Sequence, residues 1–175
     1  LAADDVVFEV GAGLGFLSAY CAKRTGAAKV FAYEANPELI PLIRETHARN
    51  NVAPTLINAL LAKGDGEREF HLEDDFWASS AHRTGGRAIT VRQIDLNSEL
   101  ARVKPSFLIV DIEGGEAEFF SGAELTTVKK ICVETHPDVL GDHVLSQMFA
   151  GLVAKGFALD FSLIRKNVFF FHRPE

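Results

Sequence analysis

A chain of 175 residues, 47% hydrophobic and 24% charged, has the make-up of one globular domain spanning residues 1–175. Its net charge of −6, with no basic cluster beyond Lys129-Lys130 and Arg165-Lys166, argues against a nucleic-acid substrate. No apolar run reaches the roughly 18 residues of a membrane span, and no signal peptide is visible, so a cytoplasmic protein with no membrane partner is expected.

Strands and helices alternate along the chain, the pattern of a doubly wound α/β fold whose parallel sheet is covered on both faces. The spacing predicts a strand over 6–10, a helix over 16–24 ended by Gly26, and a second strand over 29–33. Asn36 and Pro37 suit the start of a helix with Leu39, Leu42 and Ile43 on one face, running out near Asn50-Asn51. Residues 55–58 read as a third strand. From 63 to 92 the rhythm breaks, with extended segments at 67–72 and 88–94 around an aperiodic stretch at 74–86. This is expected to be a small hairpin with a mobile loop beside the sheet. Regularity returns with a helix over 97–103 stopped by Pro105, a buried strand over 107–110, a helix from 117, a strand over 130–134, and a helix over 144–155 closed by Gly156. The tail, 157–163 and 168–172 around Arg165-Lys166-Asn167, is too tightly connected for anything but an antiparallel hairpin. Cys21 and Cys132 lie in apolar patterns and are expected as reduced core residues. The chain opens at Leu1 without a methionine, and an upstream segment is expected to bear on substrate binding.

The most informative stretch is V-F-E-V-G-A-G-L-G-F, Val7 to Phe16: a strand, then Gly11, Gly13 and Gly15 at alternate positions, then a helix. That arrangement lets a nucleotide-like ligand lie against bare backbone at the end of a parallel sheet. A dinucleotide loop would carry its third glycine where Phe16 stands. The acid Glu9 would also repel a pyrophosphate. A cationic adenosyl ligand, S-adenosylmethionine, fits better, with Glu9 toward its methionine end. Glu34, ending the second strand, can accept both ribose hydroxyls. Asn58 and Ala59 follow the third strand, where the adenine would sit.

A second cluster, I-V-D-I-E-G-G-E, puts Asp111, Glu113 and Glu116 within six residues at the end of a central strand. Acids so close are costly unless they bind a cation, share a proton or point apart. His136, in E-T-H-P at the end of the next strand, is a candidate general base for an acceptor hydroxyl. Asp111, Glu113 and His136 form the expected catalytic set, with Ser79, Ser80 and His82 as loop residues able to close over it. No residue is assigned to a metal. Neither cysteine stands at zinc-ligand spacing, although Asp111, Glu113 and Glu116 could hold a divalent cation.

Taken together, the glycine loop, Y-E-A-N-P with its later N-N, Asn58-Ala59-Leu60, Ser79-Ser80, D-I-E-G-G-E and V-E-T-H-P resemble the FkbM-type S-adenosylmethionine-dependent methyltransferases, in family order over Val6 to Pro137. Glu9 and Gly13 stand where that family usually has Asp and Asn, and Ile109 where it often has lysine. The resemblance implies a Rossmann-like class I fold with a seven-stranded, mostly parallel sheet and a C-terminal antiparallel hairpin. It also implies methyl transfer, usually to oxygen, on a small-molecule or carbohydrate acceptor. An NAD(P)-dependent oxidoreductase and a non-catalytic Rossmann-like binding module are the competing readings.

Overall fold

The computed structural model describes residues 1–72 and 86–174. The expectations for Ser79, Ser80 and His82, and for most of the 74–86 loop, lie outside the described residues.

The sheet that carries the fold has seven strands in the order β3-β2-β1-β7-β8-β10-β9. Here β1 is Val7–Val10, β2 Val30–Glu34, β3 Thr55–Asn58, β7 Phe107–Val110, β8 Lys130–Glu134, β9 Ala158–Leu159 and β10 Val168–His172. β1 lies between β2 and β7, parallel to both, with Val10 opposite Tyr33 on one side and Val110 on the other. Only β10 runs against the rest, pairing antiparallel with β8 and β9. Both central strands are buried along their whole length, as strands covered on both faces must be. Two faces, two cores: Phe8, Val10, Tyr33, Leu108 and Val110 join Phe119, Phe120, Leu145 and Leu152 on one side. Val7, Val30, Phe107 and Ile109 meet Cys21 and Ala22 on the other. Burying a side chain such as Phe8 or Leu108 contributes about 1.5–3 kcal/mol.

The helices that supply these faces are α1 (Phe16–Thr25), α2 (Ile40–Arg49), α3 (Leu96–Val103), α4 (Glu116–Gly122) and α5 (Pro137–Ala154). α2 starts later than Asn36 suggests, because the Asn36 carboxamide instead accepts the Glu38 N–H at 2.9 Å in a tight turn. α5 starts earlier than the expected 144. Gly141, at φ 74, interrupts its pattern and hides the first turn, which Pro137 opens. The expected strand over 157–163 shortens to β9, since Phe161–Leu163 form a 3-10 turn held by Asp160 accepting the Ser162 N–H. Cys21 and Cys132 are both free thiols, and burial pushes Cys21 up to about 11. Among the described residues no helix is long and apolar enough to cross a membrane.

The expected hairpin beside the sheet is present, with a partner the sequence reading missed. β5 (Gly66–Leu72) and β6 (Arg87–Asp95) pair antiparallel, and β4 (Leu60–Ala62) adds to β6 in parallel. A three-residue strand directly after β3 has no periodicity of its own, and only its pairing with a distant strand defines it. Phe70, Leu72 and Val91, with Leu60 of β4, seat this small sheet against Ala35.

Candidate active site

Strand order reverses between β1 and β7, β1 being followed outward by β2 and β7 by β8, which leaves a crevice at the carboxyl ends of these strands. A cleft of about 590 Å³ fills it. Gly11, Gly13, Glu34 and Ala59 line one side, Asp111 and Glu113 the other, and Tyr33, Leu61 and Phe119 provide apolar surface.

The three glycines of the loop all have positive φ, yet they serve different ends. A Cβ on Gly11 would lie 1.7 Å from the Asp111 carbonyl oxygen, so Gly11 lets the two loops meet. One on Gly15 would press to 2.7 Å on Ile43 and 3.1 Å on His47, so Gly15 lets α1 approach α2. A Cβ on Gly13 would meet nothing within 4 Å. Gly13 is thus the glycine whose backbone stands open to a ligand, whereas Gly15 does not line the cleft.

Glu34 is buried and aimed by backbone donors. Its Oε2 accepts the Gly13 N–H at 2.9 Å and its Oε1 the Asn36 N–H at 2.8 Å. Burial raises its pKa, and those two donors oppose the rise. Each carboxylate oxygen has a second lone pair for a further donor. The Asn58 amide instead braces this turn, donating to the carbonyls of Glu34 at 2.8 Å and Ala35 at 3.2 Å, and Asn58 does not line the cleft. Ala59, buried, does, with its N–H held by the Glu34 carbonyl at 3.0 Å.

Glu9 is placed away from the cleft by the strand's two-residue repeat. It shares the α1 face of β1 with Val7 and is 1% exposed. One of its oxygens, Oε2, has no partner. Burial pushes the carboxyl up to about 8, even though Ser18 hydrogen-bonds to it. Ser18 in turn contacts His47 Nε2 at 2.9 Å and the Gly15 carbonyl at 3.2 Å, so the acid belongs to a buried network beneath the glycine loop.

Asp111, Glu113 and His136 come together as expected. His136 Nε2 lies 3.4 Å from Glu113 Oε2 and 3.9 Å from Asp111 Oδ1. Its Nδ1 meets Glu116 Oε1 at 2.5 Å. Glu116 is wholly buried at the start of α4 and also accepts the Gly114 N–H at 3.2 Å. Burial alone would lower the imidazole's pKa, but hydrogen bonds to Glu113 and Glu116 raise it to about 10. The free-base imidazole that general-base action needs is therefore disfavoured here by the surrounding carboxylates. Burial, the nearby charge of Glu134 and that of Glu113 push Asp111 up to about 7, with His136 opposing. Glu113 sits in the left-handed region at φ 50, and Gly114 at φ 99 lets Val139 come close, where a Cβ would stand 2.5 Å away.

The sequence reading left Glu116 outside the catalytic set, since an acid at a helix start has an ordinary explanation. Its pairing with His136 emerges only where α4 and α5 meet. Sequence reading also missed Arg68 and Glu118, which line the cleft and join β5 to α4 through two hydrogen bonds of 3.0 Å. No motif marks a pair so distant in sequence.

Comparison with known proteins agrees with this architecture. The chain matches the methyltransferase FkbM domain over residues 9–157. No curated protein matches it in sequence. Among solved structures, it resembles precorrin-6y C5,15-methyltransferase from Geobacter metallireducens GS-15, at TM-score 0.57 and 14% identity over 98% of this chain and 79% of that one. It also resembles the ribosomal protein L11 methylase of Lactobacillus delbrueckii subsp. bulgaricus, at TM-score 0.52 and 12% identity over 96% and 70% of the two chains. The S-adenosylhomocysteine-bound methyltransferase PaMTH1 of Podospora anserina is similar at TM-score 0.52 and 16% identity, over 97% and 71%. At these identities the likenesses establish a common fold, the class I Rossmann-like methyltransferase fold. With most of its length matched, the chain belongs to the FkbM methyltransferase family.

Proposed function

We propose that this protein is an S-adenosylmethionine-dependent O-methyltransferase acting on a small-molecule or sugar hydroxyl. The observation that carries the reading is the two-sided cleft: the open backbone of Gly13 and the oriented Glu34 carboxylate face Asp111 and Glu113 across one crevice. The residues present suit the cofactor. Gly13 leaves a bare surface where a side chain would intrude, and Glu34 offers two oxygens to a ribose diol.

When bound, S-adenosylmethionine supplies a methyl group already activated on its sulfonium. Gly11 and Gly15 set the loop's shape, Gly13 and Glu34 hold the ligand's adenosyl side, and Ala59 bounds the adenine. Glu9 and Asn58 support the loop and the turn from behind. Asp111 and Glu113 would orient the acceptor hydroxyl, one of these carboxylates taking the proton it loses, and His136, locked among carboxylates, fixes their spacing. Such a site works chiefly by alignment.

The test is thermal unfolding with S-adenosylhomocysteine, S-adenosylmethionine, NAD and NADP in parallel. A ligand at about a hundred times its Kd adds ~2.7 kcal/mol of stability. Stabilisation by the two adenosyl-sulfur ligands alone is expected. Stabilisation by the nicotinamides alone, or by none of the four, overturns the reading.

A further inference from the structure

We propose that Asp111, Glu113 and His136 form a divalent-cation site on the acceptor side of the cleft, with the buried Glu116 as the positioning residue that aims the histidine. The three ligand atoms lie within 4.8 Å of one another, with Nε2 at 3.4 Å from Glu113 Oε2 and 3.9 Å from Asp111 Oδ1. A cation bound at about 2.1 Å separates neighbouring donors by about 3 Å and opposite ones by about 4 Å. The two spacings at His136 Nε2 fall in that range, and the carboxylate oxygens, within 4.8 Å of each other, would close on a bound cation by a fraction of an ångström.

One feature points to an unmet positive charge at this place, and a second to a histidine aimed at it. Asp111 Oδ1, the oxygen facing Nε2, is shut off from solvent and has no hydrogen-bond partner. Glu116 is wholly buried, has one oxygen on His136 Nδ1, and its other oxygen also lacks a partner. Orphaned buried acceptors are expensive, and Asp111 Oδ1 belongs to a group whose carboxylates outnumber its single imidazole. A carboxylate on Nδ1 is the outer-shell arrangement that presents Nε2 to a metal. One nitrogen and two carboxylate oxygens suit a hard-to-borderline divalent ion such as Mn²⁺. Asp111 and Glu113 both line the cleft, so a cation held by them would border the place where an acceptor oxygen enters. That last role rests on the methyl-transfer reading; the site itself does not.

The experiment is a Mn²⁺ titration of the whole, chelator-treated chain, followed by the electron paramagnetic resonance of free and bound Mn²⁺. One saturable site is expected, with ¹⁴N coupling to the bound ion from His136. Asp111→Asn and His136→Gln are expected to weaken it at least about tenfold, and Glu116→Gln by about 10–100-fold, each with an unchanged circular dichroism spectrum. The ¹⁴N coupling persists in Asp111→Asn at saturating Mn²⁺ and disappears in His136→Gln. Absence of a saturable site in the wild-type chain, absence of ¹⁴N coupling in it, or unchanged affinity in a folded Asp111→Asn overturns the proposal. S-adenosylhomocysteine is tested in parallel on the metal-free chain. Stabilisation by it without Mn²⁺ binding removes the cation site and leaves the methyl-transfer reading standing. Mn²⁺ binding without that stabilisation does the reverse.

Discussion

Gly11 and Asp111 meet backbone to backbone: a Cβ on the glycine would fall 1.7 Å from the carbonyl oxygen of the aspartate. The loop after β1 and the loop after β7 thereby fix each other's position. A hydrogen bond from the Asp111 N–H to the Val10 carbonyl, at 2.9 Å, reinforces the contact. The two walls of the cleft are thus coupled at its floor.

This contact separates two glycines that look alike in sequence. Gly11→Ala combines a left-handed backbone, φ +83, with a collision against main chain. It is expected to cost upwards of about 3 kcal/mol or to prevent folding. Gly13→Ala meets nothing and bears only the left-handed penalty of about 1–2 kcal/mol. Denaturant unfolding of the two variants checks this, and equal losses would contradict the assignment of Gly11 to packing.

Glu34→Ala is expected to weaken S-adenosylhomocysteine binding tenfold or more, about 1.4 kcal/mol. The alanine also frees the Gly13 and Asn36 N–H groups that the carboxylate holds. Glu34→Gln, which keeps one oxygen for these donors, separates ribose recognition from loop bracing. Calorimetric titration of both reads the effect, and unchanged affinity in both removes Glu34 from the ribose.

Glu9 gives stability a pH dependence. Its carboxyl titrates near 4.5 when unperturbed and is raised to about 8 in the fold by burial. Between those values the native chain keeps a proton that the unfolded chain releases. The contribution is complete below 4.5 and is lost as pH rises toward 8. Glu9→Gln cannot ionise and is expected to lose less stability than wild type over that window. Urea midpoints measured across pH about 5 to about 8 test this; parallel curves would show that Glu9 titrates normally.

Asp5 ties the sheet's amino edge together. It is 4% exposed and accepts hydrogen bonds from Lys130 Nζ, from Ser106 Oγ at 2.8 Å and from the Ala2 N–H at 2.7 Å. Burial would raise its pKa, but these donors hold it below the usual value. Asp5→Ala strands the Lys130 ammonium and is expected to cost about 2 kcal/mol or more, against a smaller loss for Lys130→Met. A chemical-denaturation double-mutant cycle of the pair measures the coupling, and additive losses would show none.

The sequence by itself determined the sheet and its ligand edge. F-L-I-V is a continuous apolar strand and V-F-E-V is broken by a single acid, and the glycines and acids that follow them mark carboxyl ends, so local pattern alone locates the crevice. Tertiary structure decided what each of those residues does. Glu9 looks like a ligand-facing acid until the strand's alternation turns it under α1. Gly11 and Gly15 look like ligand cradles until Asp111, Ile43 and His47 arrive beside them. Glu116 looks like a helix-start acid until α5 brings His136 to it. Periodicity reports which face a residue occupies, but not which distant segment is packed there. That choice arises only when non-local elements close on one another, and in this protein it sets the charge and the shape of the site.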